Sequence, residues 1–428
     1  MPELPLNGIR VIDHGVVYTG TGATTMLADM GAQVIRVESI GRFPSMTRGF
    51  VARPPEGLEE YFGYPDNEPG EKPWDRWYQL HATSRNKLGL ALEINKPEGQ
   101  AVYKKLVSVS DVIIENFSQG TMDRLGLGYD VLKEVKPDII MISASGLGKE
   151  GPYKGYSIFG SNLDAITGMM ALRGYPNEDM MMKDPRPVWS DNVAAGTVAF
   201  AALTALHYRN NSGKGQFIDL SQAETFLPHM GEIVMDYTMN GRLREPTGNG
   251  DNSMAPHGCY PCKEEDTWVT IAVSSDEEWQ GFCRALGNPE WTGKPEFNGT
   301  LNRWNHRDEL NKLVEEWTLM HDPYEVMAIL QREGVPSGPV IGPVEAFNDP
   351  HLKERGFFEE VEHKEAGTHR YPGMHYKFSR TPLSIRIPAP CLGEHNEYVL
   401  GDILGLSKEE ISKLEEQNII GTEYLPGV

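Results

Sequence analysis

Short apolar runs alternate with stretches of helical spacing in the first third of the chain. "IRVIDHG" predicts a strand, "GATTMLADMG" a helix and "AQVIRVES" a second strand, which together form a β-α-β unit. The alternation continues through the strand-like runs "KLGLALEI", "DVIIENF" and "DIIMISASG", with one intervening helix opened by Pro97. This regular order predicts a doubly wound α/β domain built on a parallel sheet.

The pattern changes in the second half of the chain. A small-residue, apolar segment over 191–206 predicts a buried helix that begins at Asp191. Glycine, asparagine, proline and serine then accumulate over 241–261, which indicates a loop and a domain boundary. A strand-helix pattern restarts after it, and Ser407 with Glu410 predicts a capping box on a C-terminal helix.

Composition narrows the choice of partners. The 428 residues carry 61 acidic and 40 basic side chains, a formal charge of −21, which argues against nucleic acid or an anionic membrane as partner. Any anionic ligand must therefore meet local cations or backbone amides. Four cysteines predict no disulfide framework, and no stretch has the character of a signal peptide or membrane span. We expect a cytoplasmic protein.

Two motifs suggest other chemistries. Gly20, Gly22 and Glu38 imitate a dinucleotide fingerprint, although Thr25 replaces its third glycine, so an NAD-dependent oxidoreductase is one alternative. The same helix start could hold a phosphate of coenzyme A. Cys259 and Cys262 have the spacing of a zinc half-site, but no second pair completes it, and we expect no metal.

No G-x-S-x-G motif marks an activated serine, so carboxylates must be considered as nucleophiles. Asp191 lies between a strand-like segment and the buried helix, where free helix amides could stabilise an anion. From the local sequence alone, the simpler explanation of the position is an N-cap aspartate, and the two roles are compatible.

The chain resembles the family III CoA-transferases over nearly its whole length. The resemblance rests on ordered blocks that include "SRNKLGLALEINKPEG", "DVIIENFSQGTMDRLGLGYDVLKEVKPDIIMISASGLGKEGPY" and "GNGDNSMAPHGCYPCKEEDTWVTIAV". It implies that Asp191 is the catalytic aspartate. It also implies coenzyme A contacts at eight positions: Val17, Tyr18, Asn95, Lys96, Asn116, Phe117, Ser118 and Arg124. Phe159 stands where the racemase branch has a histidine, which favours transfer over racemisation.

The resemblance further implies an architecture. We expect an α/β fold with a doubly wound, Rossmann-like large domain and a smaller α+β domain. Residues 1–225 would form the first part of the large domain, 226–335 the small domain with its linker, and 336–428 the return to the large domain. Two ring-shaped chains would interlock as a homodimer.

The implied reaction moves coenzyme A between acids through an aspartyl mixed anhydride and an aspartyl-CoA thioester. Coenzyme A thioesters are then substrates, with no permanently bound cofactor. Succinyl-CoA or acetyl-CoA is the expected donor, and a medium-sized carboxylic or dicarboxylic acid the acceptor. A racemase-like activity and a non-catalytic subunit paired with a related chain stay as alternatives.

Two loops are candidates for shaping this site. Gly248, Asn249 and Gly250 could form a movable lid or a plain domain linker. The aromatic residues of the earlier loop could line the acceptor pocket or simply pack: Tyr61, Tyr64, Trp74, Trp77 and Tyr78.

Overall fold

The protein is described here by a computed structural model covering residues 3–55, 57, 63–176 and 189–428. These residues form two compact units. The first holds the described residues up to 169 together with 189–240 and 356–428, and the second holds 170–176 and 241–355. The domain boundaries expected at 225 and 335 stay a prediction.

Six parallel strands form the sheet of the first unit. They are β1 Arg10–His14, β2 Gln33–Glu38, β3 Lys87–Ala91, β4 Val112–Glu115, β5 Ile140–Ser143 and β6 Phe217–Asp219. Their spatial order is β3-β2-β1-β4-β5-β6, the doubly wound order expected from the alternating pattern. The order reverses between β1 and β4, and ligands of such sheets bind beyond the carboxyl ends of the strands at this reversal.

Helices cover both faces of this sheet. In chain order, the helices up to residue 240 are α1 Thr19–Asp29, α2 Tyr78–Thr83, α3 Pro97–Ser108, α4 Thr121–Arg124, α5 Tyr129–Val135, α6 Gly160–Ile166, α7 Met169–Leu172, α8 Trp189–Ser212, α9 Gln222–Phe226 and α10 Gly231–Asn240, of which α7 belongs largely to the second unit. One apolar core gathers side chains of α3 and α5, and the other gathers those of α1 and α8. Both cores bury the β-branched residues of the strands.

Helices α1 and α8 pack unusually closely because both present small residues. A Cβ added to Gly22 would lie 3.2 Å from the Cβ of Ala195, so a larger residue would push the helices apart. Helix α8 ends at Ser212, six residues beyond the predicted end, because Ala205, Leu206 and Arg209 continue its buried stripe. This packing brings the first turns of the two helices together.

The second unit has its own sheet and core. Strands β7 His257–Pro261, β8 Trp268–Ala272 and β9 Ser337–Val340 are antiparallel. The helices are α11 Asp276–Ala285, α12 Thr300–Asn305, α13 Arg307–Thr318, α14 Pro323–Arg332, α15 Pro343–Asn348 and α16 Pro350–Glu354. Val269 and Ile271 point into an apolar core with α11, α13 and α14. This is the expected smaller α+β domain.

The C-terminal residues return to the first unit as β10 Phe358–His363, β11 Gly367–Pro372 and α17 Lys408–Glu416. Ser407 and Glu410 form the predicted capping box of α17. Before this helix, the chain runs along the free edge of β3. His395 donates its N–H to the carbonyl of Gly89 at 2.9 Å, and Ala91 donates its N–H to Asn396 Oδ1 at 2.9 Å. The edge strand is therefore paired.

A chain of buried charges links the neighbouring strands β1, β2 and β3 and continues into the loop that follows β2. Lys87 Nζ lies 3.0 Å from Asp13 Oδ2, and Arg36 contacts both Asp13 and Glu38. Arg48 continues the chain from Glu38 to Asp75. Every one of these side chains is at least nine-tenths buried, so each charge depends on its neighbours in place of water.

The sequence also predicts that no segment spans a membrane, and the helices of the structure bear on this prediction. Within the ranges described, none of the helices combines the length and the apolar character that crossing a bilayer requires.

Candidate active site

The loop that follows β1 holds a strained residue. Val17 has a φ of +60°, which is costly for a β-branched side chain. Three contacts hold it there. Its N–H donates to Thr47 Oγ1 at 2.8 Å, and its carbonyl accepts from Thr21 Oγ1 at 2.7 Å and from Gln79 Nε2 at 3.2 Å. Such over-determined strain is typical of functional loops.

The loop that follows β4 is tied to this one. Asn116 Nδ2 donates to the carbonyl of Val16 at 3.0 Å, and its Oδ1 accepts from the Val16 N–H at 2.8 Å. Phe117 donates its N–H to Glu115 Oε2 at 2.7 Å. The two loops thus form one rigid wall at the point where the strand order reverses.

Asp191 lies in the first turn of α8 and faces this wall. Its side chain is 8% exposed, and its Oδ1 accepts a hydrogen bond from Thr19 Oγ1 at 2.8 Å. Burial raises the pKa of Asp191 above its usual range; the Thr19 hydrogen bond opposes this rise and the charge of Asp164 adds to it. Among the described residues, nothing donates to Oδ2, which leaves that oxygen available to react.

The N-cap interpretation of Asp191 does not hold within the described part of the chain. Asp164, on α6, accepts hydrogen bonds from the N–H groups of Trp189 at 3.3 Å and Ser190 at 3.1 Å. This carboxylate is 1% exposed and satisfies the first amides of α8. Asp191 is thereby released from capping and turns its carboxylate towards Thr19.

One pocket of the first unit joins five of the residues expected from the sequence. Its lining includes Val17, Asn116, Phe117, Ser118 and Asp191. Tyr18 is half-buried beside it, and burial, with the charges of Tyr78 and Asp191, raises the pKa of its phenol. Phe159 also lines the pocket, so the side chain that stands in place of the racemase histidine faces the same space.

Three expected contact residues lie away from this pocket. Asn95 is exposed, and Lys96 Nζ donates to the carbonyl of Asn418 at 3.2 Å. Arg124 is exposed and donates to Thr121 Oγ1 at 2.8 Å. Their role as coenzyme A contacts stays a prediction.

The structure adds residues that sequence reasoning missed. Thr19 and Gln222 are buried beside Asp191, and Lys154 contributes a cation to the pocket lining. Nothing local marks Thr19 or Gln222, because 172 positions separate Thr19 from Asp191 and 203 separate it from Gln222. Lys154 was recognisable as a lysine in a glycine-rich loop after β5.

The glycine-rich segment lies in the second unit. Gly248 has a φ of +60° and donates its N–H to the carbonyl of Gly174 at 3.1 Å. Asn249 donates to the Tyr175 hydroxyl at 2.8 Å, and its carbonyl accepts from His257 Nδ1 at 2.9 Å. With Gly250 these residues line a cavity of about 550 Å³ over the outer face of β7–β9.

Of the aromatic residues of the earlier loop, Tyr61 lies outside the described residues. Tyr64, Trp74 and Trp77 are buried and pack edge-on against aromatic neighbours, whereas Tyr78, at the start of α2, is 55% exposed. Their role in an acceptor pocket stays a prediction.

The dinucleotide interpretation fails on geometry. Gly20 and Gly22 lie inside α1, where they cannot form the loop that precedes the helix in a dinucleotide site. In the portion of the chain described, no three His, Cys, Asp or Glu side chains gather as metal ligands.

Comparison with known proteins identifies the family. The family model described as "CoA-transferase family III" matches residues 6–396 of the chain. The succinyl-CoA–D-citramalate CoA-transferase of Chloroflexus aurantiacus is 32% identical over 98% of this chain and 99% of its own. The succinyl-CoA–L-malate CoA-transferase alpha subunit of the same organism is 31% identical over 98% and 93%.

Solved structures agree with this assignment. A CAIB/BAIF family protein from Brucella suis superposes with a TM-score of 0.80 at 26% identity, covering 94% of this chain and all of its own. The chain is therefore a member of CoA-transferase family III, an enzyme that acts on coenzyme A thioesters.

Proposed function

We propose that this enzyme transfers coenzyme A from succinyl-CoA, or a similar acyl-CoA, to a medium-sized carboxylic or dicarboxylic acid. Two relatives of nearly full length are named for succinyl-CoA donors and for hydroxylated dicarboxylic acceptors. The observation that carries the chemistry is the buried carboxylate of Asp191, held through one oxygen and open at the other.

The proposed chemistry uses Asp191 as a covalent carrier. Oδ2 attacks the thioester carbonyl, which forms a mixed anhydride and releases the CoA thiolate. The thiolate then attacks the carbonyl carbon of Asp191, forms an aspartyl-CoA thioester and expels the donor acid as a carboxylate. The acceptor carboxylate attacks the carbonyl carbon of that thioester, which breaks the C–S bond, releases the CoA thiolate and forms a second anhydride. The thiolate finally attacks its acyl carbonyl, which frees the new acyl-CoA and Asp191.

This sequence conserves thioester energy only if water stays out. Asp191 is already poorly accessible, and the strained loop at Val17 gives the pocket a fixed wall. We assign the remaining closure to Gly248, Asn249 and Gly250, whose backbone amides can approach a developing oxyanion closely. Tyr18, Asn95, Lys96 and Arg124 complete the proposed coenzyme A site.

The decisive test is loading of Asp191 with coenzyme A. We expect incubation with succinyl-CoA, followed by hydroxylamine or borohydride and mass spectrometry, to label the peptide that contains Asp191. Asp191→Asn should abolish both the label and the turnover. Asp130→Asn, a change at an exposed carboxylate, is the matched control. Turnover by Asp191→Asn at the rate of the unmodified enzyme would refute the proposal.

The acceptor is tested by measuring CoA exchange over a panel of acids with succinyl-CoA and acetyl-CoA as donors. We expect the highest rates with four- to six-carbon acids that carry a second carboxylate or a hydroxyl. Turnover confined to formate and oxalate would exclude this substrate class. Exchange of the α-proton of a 2-methylacyl-CoA with solvent would instead favour the racemase alternative.

Subunit composition is a separate question, because one relative is named as an alpha subunit. We propose a homodimer, since Asp191 and the described lining of its pocket all come from one chain. Sedimentation of the purified chain should give a dimer that transfers coenzyme A by itself. Activity that requires a second, related chain would favour the hetero-oligomer.

A further inference from the structure

The contacts of the Thr19 hydroxyl have a chemical consequence beyond holding Asp191 in place. Thr19 is fully buried at the start of α1. Three oxygens surround its Oγ1: Asp191 Oδ1 at 2.8 Å, Gln222 Oε1 at 3.1 Å and the Asp191 carbonyl at 3.3 Å. A hydroxyl has one proton to donate, so these acceptors compete for it.

The orientation of Gln222 is fixed independently. Its Nε2 donates to the carbonyl of Ala144 at 2.6 Å, which turns Oε1 towards Thr19. Its own N–H is held by the carbonyl of Ser145 at 3.0 Å, at the start of α9. Gln222 therefore offers Thr19 a second, neutral acceptor that does not move.

The charge on Asp191 decides which of these oxygens accepts the hydrogen bond of the Thr19 hydroxyl. In the free enzyme Oδ1 belongs to a carboxylate, and a charged acceptor at the shortest distance wins. In the anhydride and the thioester Oδ1 is an uncharged carbonyl oxygen and accepts more weakly. When a nucleophile attacks the Asp191 carbonyl carbon, its electron pair moves onto Oδ1, and the negative charge returns to the atom beside Thr19.

We infer that Thr19 is a catalytic residue whose hydroxyl donates a hydrogen bond to the oxyanion formed on Asp191 Oδ1. While Oδ1 is neutral, the same hydroxyl donates its hydrogen bond to Gln222 Oε1. The inference rests on the proposed covalent function. It divides the reaction into two kinds of step. Attack by Asp191 on an acyl group places the oxyanion on the substrate, where Thr19 does not reach. Attack on Asp191 by the thiolate or by the acceptor acid places it on Oδ1, where Thr19 does.

The division predicts a step-specific defect. Thr19→Val keeps the size of the side chain and removes the hydroxyl. Loss of one oxyanion donor costs about 10²- to 10³-fold in rate. In this variant we expect the anhydride to form and then accumulate, because its conversion to the aspartyl-CoA thioester is slowed by that factor. Thr19→Ser, which keeps a hydroxyl, should stay within about tenfold of the unmodified enzyme.

Intact-mass measurement separates the two intermediates. The enzyme is mixed with succinyl-CoA and quenched with acid at successive times, and its intact mass is measured by mass spectrometry. The anhydride adds the mass of the acyl group, whereas the thioester adds that of coenzyme A. Thr19→Val should show the acyl adduct first and the CoA adduct late. If it does not fold by circular dichroism, Thr19→Ala takes its place with the same expected pattern.

The outcomes distinguish this inference from the proposed function. Loading of Thr19→Val with coenzyme A at the normal rate would overturn the role of Thr19 while leaving Asp191 as carrier. An equal defect in Thr19→Ser would also overturn it, because the hydroxyl would then not be the cause. Absence of either adduct on the unmodified enzyme, with both succinyl-CoA and acetyl-CoA, would overturn the covalent function itself.

Discussion

Two buried aspartates with different tasks meet at the first turn of α8, Asp164 from α6 and Asp191 from α8 itself. Asp164 accepts the first amide hydrogens of the helix, and Asp191 faces Thr19. The pKa of Asp191 is raised, first by burial and then by the charge of Asp164. The charge that completes the helix therefore also makes the neighbouring carboxylate a stronger nucleophile once it is ionised.

This coupling predicts a pH effect for Asp164→Asn. The nucleophile must be ionised, so loading is lost as pH falls through the raised pKa of Asp191. Removal of the Asp164 charge lowers that pKa, and the acid limb should move to lower pH. Asn keeps a side-chain oxygen that can accept from the same helix amides, so the cap is largely retained. The measurement is the rate of Asp191 loading against pH, with Asp130→Asn as control. An unmoved acid limb would show that the two carboxylates are not coupled.

Glu115, at the end of β4, gives a second prediction, for stability. Burial raises its pKa to about 7, although hydrogen bonds from Ser143 and the Phe117 N–H oppose the rise. The folded protein keeps this proton up to about pH 7, whereas the unfolded chain releases it near its ordinary value of 4.5. The free energy of unfolding therefore falls as pH rises through this window, by about 3 kcal/mol at 1.4 kcal/mol per pH unit.

Glu115→Gln should remove this slope. Urea unfolding at pH 5 and pH 8 measures it, and Glu134→Gln on α5 is the comparison, because that residue is exposed. We expect the difference in unfolding free energy between the two pH values to shrink only in Glu115→Gln. An identical slope in both variants would contradict a protonated Glu115.

At the scale of helices and strands, the sequence predicts most of what the structure contains. Each strand of the six-stranded sheet except β6 follows an apolar run. Helix α3 begins at the predicted Pro97, and the predicted Ser407 is the N-cap of α17. Periodicity and capping are local, so they are readable from a short window. The helix at Asp191 was also expected, but its first residues were placed too late.

The parts of the site that could not be predicted are all products of tertiary contact. Thr19 meets Asp191 only because α1 and α8 pack closely, and Asp164 reaches α8 from another helix. The strain at Val17 is equally invisible, because contacts with distant side chains impose it against local preference. Family resemblance could point to Asp191 and four other residues of its pocket, but not to these partners.

The glycine loop yields a prediction for Gly248→Ala. A Cβ at this position would lie 2.6 Å from a ring carbon of Tyr175, so the loop must move away from that ring. If the loop is a lid, transfer should fall about 10- to 100-fold, and hydrolysis of acyl-CoA should rise relative to transfer. Gly241→Ala is the matched control, because Gly241 also has positive φ but nothing lies within 4 Å of its added Cβ.

The measurement for this loop is the ratio of free coenzyme A released to acyl-CoA formed. Equal ratios in Gly248→Ala and Gly241→Ala would support the alternative of a plain linker.

For the molecule as a whole, the buried charges predict that replacing a buried lysine lowers the stability of the fold much more than replacing an exposed one. Lys87 Nζ lies within 3.0 Å of four oxygens, on Asp13, Thr24 and two backbone carbonyls, and it is fully buried. Lys87→Met leaves Asp13 with one fewer counter-charge and should cost about 3–5 kcal/mol of unfolding free energy. Lys133→Met breaks only the exposed pair with Asp130 and should leave the melting temperature unchanged. Similar losses in both variants would contradict this reasoning.

The pairing of β3 with residues 391–396 has a consequence for synthesis. The ribosome synthesises all six strands of the sheet long before it reaches His395 and Asn396. While the next roughly 170 residues are made, the edge of β3 therefore has no pairing partner. During that interval the strand is open to another nascent chain. Termination before Cys391 would make the interval permanent, and we expect such a product to aggregate although every strand of the sheet is present.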